Sequence, residues 1–350
     1  MQRTPARRRA WWTAAAFTLT AALAAACGIG HGGSASGSGN GSSFYSGQTL
    51  TVVVPYGPGG GYDQWARIMA PYLKKYLGVD EVKIQNMPGG GGLIGTNEVY
   101  AAKPDGLTIG DTNAGGDVFD QMDQADGYRA DVTKMGWIGR PDDDPHVIAT
   151  RDADHRTFDG IVNANQQVKA LATGKGSSDY NSAVIVYNAF RVPFQMVAAF
   201  SGSSEEKAAF LSGEGTTASL SASDIAAIKG KASPVVVVSQ QRFSKLPNVP
   251  TVVDEAKQHN LGADTVKALT TLSDVMDLGH AFFAPPGVPA DRLSALRTAF
   301  QKAMQDTGLL DAAQKAGLYP GFESGQDLTQ AATDALGQKA LFTDLLKTSA

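Results

Sequence analysis

Four glycines between a β-branched run and a helical repeat constrain this chain more than any other feature. Thr51–Val54 is a short apolar run, the pattern of a strand buried on both faces. Pro55 ends it. Gly57, Gly59, Gly60 and Gly61 then form a loop whose backbone can take positive φ and approach a ligand closely. From Tyr62 onward, Trp65, Ile68, Met69, Tyr72, Leu73, Tyr76 and Leu77 recur three and four residues apart, one face of a helix. Pro71 lies inside that helix and is expected to kink it by removing one hydrogen bond. Strand, glycine loop and helix in this order gather unpaired N–H groups and the positive end of a helix dipole at one point, an anion site. A tight turn without a ligand would use the same glycines.

The same order returns at 82–99. Val82–Gln85 reads as a strand, Asn86–Gly92 as a second glycine loop, and a helix begins near Thr96. Two such loops, one strand–helix unit apart, sit side by side at the carboxyl edge of a parallel sheet.

The start of the chain reads as an export leader. Arg3, Arg7, Arg8 and Arg9 precede Trp11–Ala26, an apolar run of 16 residues, short for a membrane span. It ends Leu23-Ala24-Ala25-Ala26-Cys27, which resembles a bacterial lipobox with its leucine at −4; an ordinary export signal is the alternative. Arg8-Arg9 hints at twin-arginine export. Cys27 is the only cysteine, so a disulfide within the chain is excluded. Residues 27–47, rich in Gly and Ser, read as a flexible tether. Removing residues 1–26 takes away four arginines and no acids, moving the formal charge from −4 to −8. An acidic mature chain gives no support for nucleic-acid binding. About 300 residues remain, enough for two domains with their own cores.

Beyond the second loop the chain alternates in α/β style. Leu107–Gly110 reads as a strand, Asp111–Gly116 as a loop, and Val118–Met122 as a short helix. Met135–Gly139 and Val147–Thr150 read as strands leading out of the first domain. Asp142-Asp143-Asp144-Pro145-His146 between them matches no calcium loop and reads as an acidic turn. Gly174-Lys175-Gly176-Ser177-Ser178 precedes a helix with an apolar face of Tyr180, Ala183, Val184 and Tyr187. Ser177 or Ser178 is its expected N-cap, placed also to offer a hydroxyl and free N–H groups to a second carboxylate. Ser203 and Glu206 have capping-box spacing. Thr251 is expected to cap a helix at Val252–His259, and Leu328–Leu346 to supply the last helix. Catalytic motifs are missing: there is no G-x-S-x-G, H-E-x-x-H or C-x-x-C, and the five histidines show no ligand spacing. No cofactor and no metal is expected.

These residues carry a family resemblance. Val52-Val53-Val54-Pro55-Tyr56 followed by Gly59-Gly60-Gly61-Tyr62-Asp63 resembles the opening of the Bug family, the extracytoplasmic receptors of tripartite tricarboxylate transporters. Asn86-Met87-Pro88-Gly89-Gly90-Gly91-Gly92-Leu93-Ile94-Gly95 is similar to the family's second loop, with Met87 in place of arginine. Pro104-Asp105-Gly106-Leu107-Thr108 and Leu246-Pro247-Asn248-Val249-Pro250-Thr251 resemble two further signatures. The likeness runs from about Leu50 to Leu346 and is thin between Asp111 and Val235.

The resemblance implies an α/β, two-lobed type II periplasmic-binding-protein fold with a hinge and an interlobe ligand cleft. It places lobe 1 at 48–145 plus 282–350 and lobe 2 at 146–281. Carried onto this chain, the ligand-binding residues of lobe 1 are Tyr56, Gly59, Gly60, Gly61, Tyr62 and Asp63, with Gly89, Gly90, Gly91 and Gly92 beside them. Those of lobe 2 are Gly176, Ser177, Ser178 and Asp179. The implied partners are a small organic acid and the membrane subunits of a tripartite transporter, with a lipid anchor on Cys27 at the outer face of the membrane. Ala199-Phe200-Ser201-Gly202 stands where the family has P-Y-K-G, so that lysine is missing. A secreted enzyme acting on a small carboxylate and a surface lipoprotein without transport function remain the alternatives.

Overall fold

The computed structural model describes residues 41–164 and 166–347. The expected leader, Cys27 and most of the tether lie outside them. The tether ends sooner than expected: α1 (Gly41–Tyr45) is already helical. Tyr45 is fully buried, its hydroxyl donates to the Gly106 carbonyl, and the Phe44 ring stacks under the Arg292 guanidinium. Two adjacent aromatic rings with partners waiting are enough to dock what Gly and Ser alone would leave loose.

The first unit runs β1 (Thr49–Val54), α2 (Gly61–Leu77), β2 (Glu81–Asn86), α3 (Leu93–Tyr100), β3 (Thr108–Asn113), α4 (Ala114–Asp123) and β4 (Gly136–Asp142). Trp65, Met69, Leu73 and Leu77 form the buried stripe of α2, each contributing roughly 1.5–3 kcal/mol by leaving water. The helix passes through Pro71 without a break in assignment. Pro71 is on the exposed side, where water can meet the carbonyl it leaves unpaired. Gly78, at φ 81°, closes the helix in the left-handed region.

The chain then builds β5 (His146–Thr150), α5 (Phe158–Ala164), β6 (Val168–Ala172), α6 (Ser178–Ala189), β7 (Phe194–Ala198) and α7 (Ser203–Ser212). It continues through β8 (Thr217–Ser221), α8 (Ala222–Ala227), β9 (Ser233–Val237), α9 (Val252–Gln258) and α10 (Ala263–Met276). The last elements are β10 (His280–Ala284), α11 (Ala290–Met304), α12 (Thr307–Lys315), β11 (Pro320–Ser324) and α13 (Gly325–Leu336).

Two mixed sheets result. The larger has the order β11-β4-β10-β3-β1-β2, the smaller β7-β6-β8-β5-β9. β1 pairs in parallel with β2 and β3, whereas β10 is antiparallel to β3 and β4. The chain therefore leaves the larger sheet after β4, completes the smaller one, and returns as β10 into the middle of the larger. This is the two-lobed α/β arrangement of periplasmic binding proteins.

Some expectations need correction. Asp111–Asn113 are strand and α4 starts at Ala114, so the expected loop at 111–116 is absent. The Asn113 side chain accepts from Gly116 N–H at 3.0 Å and lets the helix follow the strand directly. The helix after the second loop begins at Leu93, three residues earlier than expected, behind a 3₁₀ turn at Gly90–Gly92. The capping box at Ser203/Glu206 does not form: Gly202 is the N-cap, and Glu206 is drawn inside. Glu205 instead reaches back to the N–H and Oγ of Ser201, both at 2.7 Å. The last long helix stops at Leu336, and a 3₁₀ turn at Lys339–Phe342 follows. Thr251 does cap α9, in a capping box with Asp254. Among the described residues no helix is long and apolar enough to cross a membrane.

Candidate functional site

The carboxyl end of β1 delivers the chain into the first glycine loop and then into α2. Positive φ is confined here to Gly59, at 88°, while Gly60 sits at −78° as the N-cap. No side chain caps the helix. The loop is held by Asp63, in the first turn: its Oδ2 accepts from Gly59 N–H at 2.9 Å, and Asn86 and Arg67 bind the same carboxylate at 3.0 and 2.8 Å. Burial opposes its charge, but Arg67, the Gly59 N–H and Asn86 hold the carboxyl below the usual range. Asp63 thus points back into the loop and leaves the first N–H groups of α2 uncapped.

Those groups face a cavity between the two sheets. Tyr56, Gly60, Gly61, Tyr62 and Asn113 line it from the larger sheet's side, with Gly279 and His280 at the start of β10. Asp144, His146, Thr173, Ser178, Asp179, Ser203, Glu206 and Ser219 line it from the smaller. From the cavity side His280 abuts the loop: a Cβ on Gly61 would lie 3.1 Å from its Nε2. Its Nδ1 is hydrogen-bonded to Asp142, and Tyr62 stacks edge-on against the ring at 4.0 Å. Burial works against the imidazolium, but Asp142, with Asp111 and Asp144 behind it, outweighs that and raises the ring to about 9. With Nδ1 engaged, Nε2 remains as a donor on the Gly61 side. Asp144, which accepts from Ser223 N–H at 3.0 Å, is pushed up to about 7 by burial and by Asp142. Neither lysine nor arginine is among the lining residues.

Of the residues expected at the site, the structure brings Tyr56, Gly60, Gly61, Tyr62, Ser178 and Asp179 to this cavity. Gly59 and Asp63 stand behind it as the loop's lock. Gly89, Gly90, Gly91 and Gly92 do not line it. Gly91 packs against the loop after β6, where a Cβ on it would lie 2.5 Å from the Lys175 carbonyl and 3.0 Å from Ser177 N. Gly176 faces the Asp120 carboxylate, and Ser177 caps α6 from a fully buried position. A polar chain joins the two sides: Ser178 Oγ donates to Asn113, Asn113 Nδ2 to the Tyr56 hydroxyl at 2.9 Å, and that hydroxyl to the Gly91 carbonyl at 2.6 Å.

Sequence reasoning missed His280, Asn113, Asp144 and Glu206. The first has no spacing signal, since its partner Asp142 is 138 residues away. By sequence alone the others have the character of loop, acidic turn and cap. Away from the cavity, Asp159, Glu255 and His259 place one ligand atom each within 4.8 Å of one another, with His259 Nε2 hydrogen-bonded to Asp159 at 2.6 Å.

Comparison with known proteins bears on the family and the fold. The model of the family described as the tripartite tricarboxylate transporter family receptor, TctC, matches residues 65–345. The UPF0065 protein in the TAR-I ttuE-ttuC′ intergenic region of Agrobacterium vitis is 26% identical over 311 residues, 84% of this chain and 81% of its own. Among solved structures, the periplasmic binding protein BugD superposes with a TM-score of 0.71 at 21% identity, over 86% of this chain and 98% of its own. MatC from Rhodopseudomonas palustris with bound malate gives 0.68 at 21%, over 86% and 99%.

Proposed function

The chain belongs to the tripartite tricarboxylate transporter family of receptors, and from that premise we propose that its cavity captures a small carboxylate. The ligand is then delivered to the membrane subunits of a tripartite transporter. The family is one of binding proteins, so the enzyme alternative falls away. One observation carries the choice of site: the uncapped start of α2, at Gly60 and Gly61, converges with His280 on the cavity. Backbone N–H groups, a helix dipole and an imidazolium together make a seat for one carboxylate group. Tyr56, Tyr62, Ser178 and Asp179 complete the walls. Gly59 and Asp63 shape the loop, and Gly89–Gly92 with Gly176 and Ser177 form the contact that closes behind the ligand.

The lobes are 48–145 with 282–350 and 146–281, the second boundary falling inside β10, and they turn about the crossings that join the two sheets. A ligand touched from both sides only in the closed form shifts the population towards closure. Malate, bound by one structural relative, belongs in the test panel. Calorimetry with small mono-, di- and tricarboxylates and amino acids should give saturable binding to one site. No heat with any of them, and no acid retained by protein purified from its own cells, would contradict the proposal.

Residues 1–26 act in this reading as a lipoprotein signal peptide, with Cys27 bearing the lipid that holds the receptor at the outer face of the membrane. The small residues before a lone cysteine support it. Cys27→Ala should then release the protein from the membrane fraction without the lipid mass. Unchanged retention and unchanged mass would sink the anchor.

A further inference from the structure

The walls of this cavity are acidic. Asp144, Asp179, Glu206 and Asp224 line it. Lys207 pairs with Asp224, and a backbone N–H serves Asp144. Among the described residues, Glu206 and Asp179 have no ion-pair partner. Asp179 is 6% exposed and accepts from the N–H and Oγ1 of Thr173, at 2.5 and 3.0 Å. Glu206 is 1% exposed, its Oε1 has no partner within hydrogen-bond distance, and its carboxyl adjoins that of Asp179.

An acid in the first turn of a helix is ordinary, because it meets the positive end of the dipole. Both residues occupy such turns, Asp179 in α6 and Glu206 in α7. That role does not require burial, and Glu205 already fills it in α7 from the exposed surface. Two neighbouring carboxyls out of water cannot both ionise cheaply. Burial, and then the charge of Asp179, push Glu206 well above the usual carboxylate range. A dicarboxylate or tricarboxylate would set a further anion against this pair. A group with N–H donors and a positive charge would satisfy Oε1 and both acids together.

Building on the carboxylate-receptor reading, we infer that Glu206 and Asp179 seat an ammonium group, so that the ligand is an amino acid or a related zwitterion. The carboxylate of that ligand lies at the start of α2 and His280. The ammonium lies against Glu206 and Asp179.

The test compares matched probes on the intact mature protein: aspartate against succinate, glutamate against glutarate, and the remaining standard amino acids against their amine-free skeletons. The amine-bearing member of a pair should bind roughly ten- to a hundredfold tighter, the range of a charge-assisted hydrogen bond. Glu206→Gln should remove most of that preference, by weakening the amine-bearing member while the amine-free acid binds at least as tightly as to wild type. Equal or tighter binding of amine-free acids to the wild type overturns the inference and leaves the carboxylate receptor standing. Binding of neither set overturns both. The wild-type comparison needs no variant, so a folding defect in Glu206→Gln would not blur the outcome.

Discussion

The two glycine loops read alike in the sequence and do different work in the molecule. The loop after β1 has one glycine at positive φ, Gly59, and is locked by Asp63 with its free N–H groups turned to the cavity. The loop after β2 has four in succession, Gly89, Gly90, Gly91 and Gly92, at φ 133°, 61°, 68° and 110°. It turns its backbone away from the cavity and onto the loop after β6. There the approach is mutual, since a Cβ on Gly174 would lie 2.6 Å from Gly91 N. One run of glycines exposes donors, and the other lets two backbones touch. Glycine supplies both freedoms, a left-handed φ and the absence of a Cβ. Only the partner across the gap distinguishes them.

The largest expected effect comes from the second loop. Gly91→Ala puts a methyl group into a left-handed backbone and against the Lys175 carbonyl, neither of which can yield cheaply. Closure should weaken and ligand affinity fall by about 1–3 kcal/mol from the clash, with a further loss of stability of about 1–2 kcal/mol from left-handed strain. Calorimetry with small-angle scattering of the liganded protein checks it. A variant as compact and as tight as wild type would mean that this loop does not take part in closure.

His280 separates the first loop from the second by pH. Its pKa of about 9 in the fold lies above the ordinary 6.5. The protonated ring therefore stabilises the fold fully below about pH 6.5, and that contribution is lost as pH rises through about 9. Its size is roughly 3 kcal/mol at most. Thermal melts from pH 6 to 10 should show wild type losing this increment relative to His280→Gln, while Gly91→Ala follows the wild-type slope. Parallel curves for wild type and His280→Gln would show that the ring is not held charged by Asp142.

The smallest effect belongs to Asp63→Asn. The amide keeps an acceptor for Gly59 N–H but loses the charge that meets Arg67, whose side chain is 54% exposed and can return to water. Stability should fall by about 1–2 kcal/mol, the scale of a charge-assisted hydrogen bond partly replaced. Affinity should change less than threefold, because Asp63 does not line the cavity. Melting and titration of the same preparation test both halves, and a large loss of affinity with unchanged stability would place Asp63 on the ligand.

The strand–loop–helix order at 51–77 was legible because its apolar spacing and its glycines are local. What escaped was set by distant partners. Asp111, Thr112 and Asn113 look like a polar loop, but β10 pairs alongside them and makes them strand. Glu206 has the spacing of a cap, but the interior takes it instead. His280 becomes a candidate only beside Asp142 and Gly61, which the return of the chain as β10 brings together. The two-lobed fold was readable through family resemblance, whereas the division of labour between the two glycine loops was not.

The central claim is that the ligand's carboxylate sits at the first loop and not at the second. A crystal structure of the liganded protein tests it most directly. Carboxylate oxygens are expected within about 3 Å of the Gly61 or Tyr62 N–H and of His280 Nε2, the usual hydrogen-bond range, with Gly89–Gly92 touching protein only. A carboxylate held by the N–H groups of Gly89–Gly92, with the start of α2 left to water, would contradict it.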